Sequence, residues 1–268
     1  MEPDYLQLRL FDMDEDESQF SGFRRVLLKL SGEALAGELG YGVDETVAKR
    51  IAKEIIEAKN DLLVQIAIVV GGGNIWRGAQ HPNMDRTTAD YNGMLATVMN
   101  AKVMKSMLED MGQDARVMSA VEINKVTEPY IQGRAIRHLE KGRVVILAAG
   151  TGNPFFTTDT AAVLRATELG ADAVLMAKNG VDGVYSSDPK TNPDAMRFRE
   201  LEHSQVNEMK LKVMDITATA LAEDNKMPII VFDGLKVGGL EDILSPPMSM
   251  KCPISEHATP TTIARLQR

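Results

Sequence analysis

The feature that most limits what this chain can become is the stretch RVVILAAGTGNPFFTTDTAAVLRATELG, from Arg143 to Gly170. An apolar run, Val144 to Ala149, gives way to a turn of glycine, asparagine, proline and threonine, and then to a helical pattern ending at Gly170. A short apolar run closed by turn residues is the pattern of a strand buried on both faces, as in a parallel sheet. The loop Thr151 to Thr158 is rich in backbone donors and hydroxyls and poor in charge. Asp159 and Thr160 then open the helix, where unpaired backbone N–H groups and the helix dipole favour an anion. Taken alone, the loop is either a cradle for a phosphorylated ligand or an ordinary strand-to-helix connection.

The same strand-then-loop grammar recurs upstream. RRVLLKL reads as a strand, in an ordered region beginning at Phe23, and runs into Ser31, Gly32 and Glu33. Lys29 sits at the strand's end, where ligands collect in open α/β sheets; a solvated edge lysine is the plainer reading. A glycine-rich segment, Gly32 to Gly42, precedes a helix from Asp44 with Val47, Ile51 and Ile55 on one face. Val64 to Val70 is a second buried strand, and it breaks into Gly71, Gly72 and Gly73. Three residues without a Cβ allow close backbone approach and positive φ. Neither G-x-x-x-x-G-K-[ST] nor G-x-G-x-x-G is present. Arg77, four residues on, can meet a phosphate or form a surface ion pair.

A long helix is predicted over Thr88 to Met111, closed by Gly112. Its stripe of Leu95, Val98, Met99, Val103, Met107 and Met111 is either core filler or a contact between subunits. Asp90, in its first turn, either complements the helix dipole or faces a ligand. Further strands are expected at Ala115–Ala120, Arg143–Ala149, Ala173–Ala177 and Pro228–Asp233. The turn-rich KNGVDGVYSSDP carries Asp182, Tyr185 and Asp188, and a helical region, Ser204 to Glu223, contains KLKVMD. Strands alternating with helices imply a mainly parallel sheet with helices on both faces.

Composition removes other classes. The chain has 268 residues and no apolar run near the roughly 20 that span a bilayer. A basic n-region followed by an apolar stretch, the mark of a signal peptide, is not visible at the N-terminus. The single cysteine, Cys252, excludes an internal disulfide framework and suits a reducing cytoplasm. The four histidines are too scattered for a local metal motif. Residues 1–22 hold seven acidic side chains and one basic, and read as a solvated, disordered arm. The rest of the chain is only mildly acidic, which gives no support to nucleic-acid binding.

Six ordered motifs carry a resemblance: KLSGEAL, VVGGGNIWRG, the D-x-x-G-M-L-A-T-V-M-N run from Asp90, RVVILAAGTGNPFFTTD, VDGVYSSDP and LKVMD. Together they resemble the bacterial uridylate (UMP) kinase family of the amino acid kinase superfamily, over about residues 23–244. The resemblance implies a three-layer α-β-α sandwich with a mainly parallel central sheet and two lobes, one for ATP and one for UMP. It implies transfer of the γ-phosphoryl group of ATP to UMP.

Carried onto this chain, Lys29, Leu30, Ser31, Gly32, Gly73 and Arg77 would line the ATP phosphates, and Asn179, Tyr185 and Asp188 would surround adenosine. Gly72 would approach the UMP phosphate and Asp90 would hold the ribose. Thr151, Gly152, Asn153, Pro154, Phe155, Phe156, Thr157 and Thr158 would wrap uracil and the sugar-phosphate. Lys29, Arg77, Asp159 and Asp215 would be the catalytic set. Mg2+ would arrive with ATP, with no direct protein ligand. Family members are homohexamers activated by GTP and inhibited by UTP, so the resemblance implies a homohexamer with GTP as a candidate activator and UTP as a candidate inhibitor, although no motif in the sequence speaks to GTP. They also close with a short G-T-φ strand after the last helix. Here the run Ser245 to Arg268 continues without a recognisable version of it. Two other classes fit less of the pattern: a sister enzyme phosphorylating a carboxylate, and a non-catalytic nucleotide-binding or storage relative.

Overall fold

A computed structural model describes residues 22–211, 213–244 and 261–263. The acidic segment 1–21, Lys212, Cys252 and most of the tail after 244 lie outside the described residues.

The apolar runs become the middle of one sheet. Strand β1 (Arg25–Leu30) lies between β2 (Gln65–Val70) and β6 (Ala173–Lys178), parallel to both. Outward on one side come β5 (Val144–Ala148), β3 (Ala115–Ser119) and the two-residue β4 (Glu128–Pro129). On the other side come β10 (Ile229–Asp233), β11 (Thr261–Ile263) and β9 (Glu200–Leu201). Every pairing in this nine-stranded sheet is parallel except that of β10 with β11. A separate antiparallel ribbon joins β7 (Val184–Tyr185) and β8 (Arg197–Phe198).

The two-residue period of a strand sorts its side chains onto two cores. Val26, Leu28 and Leu30 pack with Ile51 and Ile55 of α2 (Glu45–Asp61), with Met94, Val98 and Met104 of α3 (Arg86–Asp110), and with Leu240 of α8 (Gly239–Leu244). α1 (Gly32–Ala36) adds Leu35 to this layer. Leu27 and Met176 face the other way, toward Leu139 of α4 (Gln132–Glu140) and Ala162 of α5 (Thr158–Leu169). Val206 of α6 (His203–Glu208) and Ala218 of α7 (Ile216–Asp224) complete that layer. The architecture is the three-layer α-β-α sandwich that the alternation of strands and helices implies.

Four local expectations change. The long helix starts at Arg86, because Asp85 caps it by accepting the Thr88 N–H at 2.9 Å; Asp90 therefore lies in the second turn. Its inward face is Met94, Val98, Ala101, Met104 and Leu108, whereas Leu95 and Met99 are 49% and 57% exposed. The region 204–223 is two helices, not one: Lys210 turns left-handed (φ 52°), and Asp215 caps α7 through the Ala218 N–H at 2.9 Å. Finally, the run after Leu244 does contain a closing strand. Thr261, fully buried, donates its hydroxyl to the Phe198 carbonyl and accepts the Val184 N–H at 2.9 Å, while β11 pairs with β10.

Candidate active site

Two clefts open at the C-terminal ends of the strands, one on each side of β1. The first, about 350 Å³, lies past β2 and β5 and is roofed by α3. The second, about 470 Å³, lies past β6 and β10. Lys29, near the end of β1, stands between them.

The glycines after β2 serve packing. None of Gly71, Gly72 and Gly73 has positive φ, contrary to one reason for expecting them. A Cβ on Gly72 would come within 2.7 Å of the Gly93 carbonyl on α3, and one on Gly32 within 2.8 Å of the Gly71 carbonyl. Both distances are prohibitive, so the glycines bring loop and helix backbone into direct contact and leave Gly72 and Gly73 lining the first cleft. Two buried asparagines brace the turn from behind: Asn100 donates to the Gly71 carbonyl at 2.7 Å, and Asn74 donates to the Gly42 carbonyl at 2.6 Å. Arg77 donates to the Gly73 carbonyl at 3.1 Å and pairs with Glu33.

The loop after β5 is strung between two side chains of α3. Ala149 is held in a left-handed conformation (φ 63°), and its N–H donates to Thr97 Oγ1 at 2.7 Å. Phe155, also left-handed (φ 71°), donates its N–H to Asp90 Oδ2 at 2.8 Å. Non-glycine residues pay about 1–3 kcal/mol for such backbone, so the α3 anchors offset strain at both ends. Arg86 also donates to both Asp90 oxygens at 2.9 Å. Thr151, Asn153, Phe156, Thr157 and Thr158 line the cleft with Asp90. Gly152 (φ 83°), Pro154 and Phe155 belong to the loop but not to the wall. Trp76, Arg86 and Thr97 also line it, and no sequence signal distinguished them.

Lys29 Nζ lies 2.6 Å from Asp159 Oδ1, with side chains only 10% and 17% exposed. The contact is an ion pair outside hydrogen-bond geometry, so this buried carboxylate oxygen still lacks a hydrogen-bond partner. Asp159 is in the first turn of α5, which Thr157 caps. Asp215, the cap of α7, accepts the hydroxyl of Thr157 and that of Thr160 at 2.9 Å. Its oxygens are committed, and it acts by fixing the start of α5 to the start of α7.

The second cleft is lined by Asn179, Tyr185 and Asp188, by Met209, Leu211 and Val213, and by Lys178. The Tyr185 hydroxyl donates to Asp182 Oδ1 at 2.6 Å, and burial followed by that carboxylate pushes its pKa up. Lys178 donates to the Val213 carbonyl. Sequence reasoning passed over Lys178, although it ends a buried strand as Lys29 does. Of the residues expected beside Lys29 on the ATP phosphates, Gly73 lines the first cleft and Arg77 is tied to its carbonyl, whereas Asn179, Tyr185 and Asp188 share the second cleft. Among the described residues no cluster of three histidine, cysteine or acidic side chains could hold a metal, and no helix is long and apolar enough to cross a membrane.

Comparison with known proteins agrees with this arrangement. The profile of the amino acid kinase family matches residues 24–233. A uridylate kinase of Deinococcus radiodurans is 55% identical over 223 residues, covering 83% of this chain and 91% of that protein. One from Oenococcus oeni is 57% identical over 222 residues, covering 82% and 91%. The crystal structure of UMP kinase from Bacillus anthracis superposes with a TM-score of 0.82 at 39% identity, covering 90% of this chain and 96% of that one. UMP kinase from Ureaplasma parvum gives 0.82 at 34% identity, covering 90% and 99%. With the family profile, the relatives' identity and the superposed fold in agreement, the chain belongs to the amino acid kinase family, in its uridylate kinase branch.

Proposed function

We propose that the protein is a uridylate kinase that transfers the γ-phosphoryl group of ATP to UMP, giving UDP and ADP. The observation that carries this reading is the pair of clefts on either side of β1, with the buried Lys29–Asp159 pair between them. UMP occupies the first cleft and ATP the second, so the reacting phosphates meet at the mouth of β1. Residues 23–244 together with β11 form the catalytic unit.

Gly72 lets the UMP phosphate approach the start of α3. Asp90 accepts the ribose diol in place of the Arg86 Nε–H that its two oxygens now share, and the loop Thr151–Thr158 closes on uracil. Leu30, Ser31 and Gly32 supply backbone to the triphosphate, and Asn179, Tyr185 and Asp188 surround adenosine; Gly73 and Arg77, on the first-cleft side, would meet only the end of the triphosphate that reaches the mouth of β1. Lys29 faces the phosphoryl group in flight. The acceptor is a phosphate oxygen already ionised near neutral pH, so catalysis rests on positioning and charge neutralisation. Among the described residues no histidine lines either cleft. Asp159, in the first turn of α5 beside Lys29, is placed to accept from a water of a hydrated cation. Mg2+ is therefore the expected metal, held through water, and it neutralises charge on the triphosphate.

The family resemblance also supports a cytoplasmic homohexamer, activated by GTP and inhibited by UTP. Tyr91, Leu95 and Met99, exposed on α3, are the surface such assembly would cover. The deciding test is release of ADP from Mg-ATP with and without UMP, alongside aspartate, glutamate and carbamate as acceptors. Turnover is expected only with UMP; turnover with a carboxylate instead would overturn the reading.

A further inference from the structure

We propose that Arg165 is a positioning residue for the acceptor nucleotide: from behind the first cleft it fixes the Gly150 and Thr151 peptides, and so presents the Thr151 N–H to bound UMP. This rests on the placement of UMP in the first cleft.

Arg165 is on α5, only 6% exposed, and lines neither cleft. A buried guanidinium is tolerable when its charge and its N–H groups are answered. Here Nη1 donates to Glu168 Oε2 at 2.7 Å, one turn along the same helix. The guanidinium carbon lies 4.1 Å from the centre of the Tyr130 ring, a cation–π contact. The Tyr130 hydroxyl donates to the same Glu168 oxygen at 2.7 Å. Burial, followed by that bond, pushes the phenol's pKa up, so it stays a donor. Tyr130 directly follows β4, and its N–H donates to the Ser119 carbonyl of β3 at 2.9 Å. The ring and the carboxylate thus hold the guanidinium against the edge of the sheet.

The rest of the fork faces the loop. Nη2 lies 3.4 Å from the Thr151 carbonyl oxygen and 3.5 Å from that of Gly150. Both contacts are long, and the full charge on the donor is what gives them strength. The turn they hold is unusual backbone. Ala149, Gly150 and Gly152 all have positive φ, and the Gly152 N–H closes on the Ala149 carbonyl at 2.9 Å. Helix α3 grips only the Ala149 and Phe155 N–H groups. Arg165 grips the carbonyls between them, and does so from the opposite layer of the sandwich.

Across a trans peptide the C=O and the N–H point in opposite directions. With the Gly150 carbonyl turned to Arg165, the Thr151 N–H is turned away from it, where Gly150 and Thr151 wall the cleft. Among the described residues that N–H meets no acceptor. An oxygen of the nucleotide completes it. An ion pair of purely structural purpose would need only Glu168 and Tyr130; the reach of Nη2 to two loop carbonyls ties Arg165 to the site.

The test separates positioning from general support of the fold. Affinities for UMP and ADP are measured by titration calorimetry on wild type, Arg165→Met, Arg165→Lys and Glu168→Gln, with kcat, both KM values and melting curves. Met keeps the stem and removes the fork. Lys keeps a charge for Glu168 but is a single point, unable to span the carboxylate and two carbonyls. Glu168→Gln weakens the ion pair and leaves the guanidinium on the loop. Arg165→Met should bind UMP about fivefold to tenfold more weakly, the worth of about one hydrogen bond. The KM for UMP should rise to match, while ADP affinity and kcat at saturating UMP stay within about twofold, the mark of lost uniform binding. Arg165→Lys should fall between. Glu168→Gln should melt earlier yet hold UMP within about twofold of wild type. An equal loss for UMP and ADP in Arg165→Met, or as large a UMP loss in Glu168→Gln, would mean a general loosening and would overturn the proposal. Unchanged UMP affinity would do so too. Should Arg165→Met not fold, Arg165→Lys decides: UMP affinity and KM equal to those of wild type would overturn the assignment. If wild type binds UMP without phosphorylating it, the assigned reaction fails while the positioning is still judged on the UMP affinities.

Discussion

Replacing Lys29 by methionine separates what the ion pair does for the fold from what the cation does for the reaction. The substitution keeps the aliphatic stem between the strands and deletes the charge. Asp159 Oδ1, which already lacks a hydrogen-bond partner, then loses the Lys29 cation 2.6 Å away. Stripping one side from a fully buried pair costs about 3–5 kcal/mol. These side chains remain 10% and 17% exposed, so water can reach the carboxylate and about 1–3 kcal/mol, the cost of an unsatisfied buried group, is the better figure. For a chain of this size that lowers Tm by roughly 2–12 °C. The catalytic loss should be larger and of different origin. A fixed cation facing charge that develops in the transition state is worth about 10²–10³ in kcat. Lys29→Met/Asp159→Asn should therefore regain most of the lost Tm while turnover stays low, a coupling that a double-mutant cycle isolates. Calorimetry, melting curves and UMP-dependent ADP release on the four proteins complete the experiment. UMP affinity should remain within about threefold. A Lys29→Met enzyme retaining more than a third of wild-type kcat, or a double variant that regains turnover with stability, would refute the reasoning.

Asp90→Asn should reduce kcat/KM for UMP about tenfold to a hundredfold, and less for dUMP, which offers one donor fewer; equal losses would remove Asp90 from the ribose. Thr261→Val deprives the Val184 N–H and the Phe198 carbonyl of their shared hydroxyl, and should cost about 1–3 kcal/mol in urea unfolding, with KM for ATP rising more than KM for UMP. An unaltered midpoint and KM would show that the ribbon does not depend on β11. Leu95→Glu/Met99→Glu should yield smaller particles in sedimentation velocity, since both side chains are exposed on α3. Val103 packs partly against the core, so a charge there would confuse assembly with stability. A wild-type protein that is monomeric at micromolar concentration would dispose of this assembly.

Much of the fold was legible because its central strands are buried on both faces. Val26 to Leu30, Ile66 to Val70 and Val144 to Ala148 show the unbroken apolar runs that such burial requires. Legibility failed where structure depends on distant partners. Thr261–Ile263 is β-branched throughout, but three residues are too few to announce a strand, and its meaning comes from β10 and from two backbone groups of the ribbon. The α3 stripe misled because apolar residues surround that helix, and only packing against α2 and β3 selects Met104 and Leu108 over Met99. In the site, glycine loops and end-of-strand lysine were readable from residue type. That Asp215 joins two helix starts, or that Thr97 and Asp90 anchor the ends of one loop, follows only from three-dimensional neighbours.

The last described strand also orders events during synthesis. Everything that lines the first cleft lies between Gly72 and Thr158, and β1, β2, β3 and β5 that support it precede residue 149. Domains fold as units, so this one is complete only when its last described strand has been made. The ribbon bearing Tyr185 gains its Thr261 anchor only after more than seventy further residues have been made, Thr261 standing 76 positions beyond Tyr185. Chains released before residue 261 would thus lack the anchor that holds the ribbon on the second cleft's side.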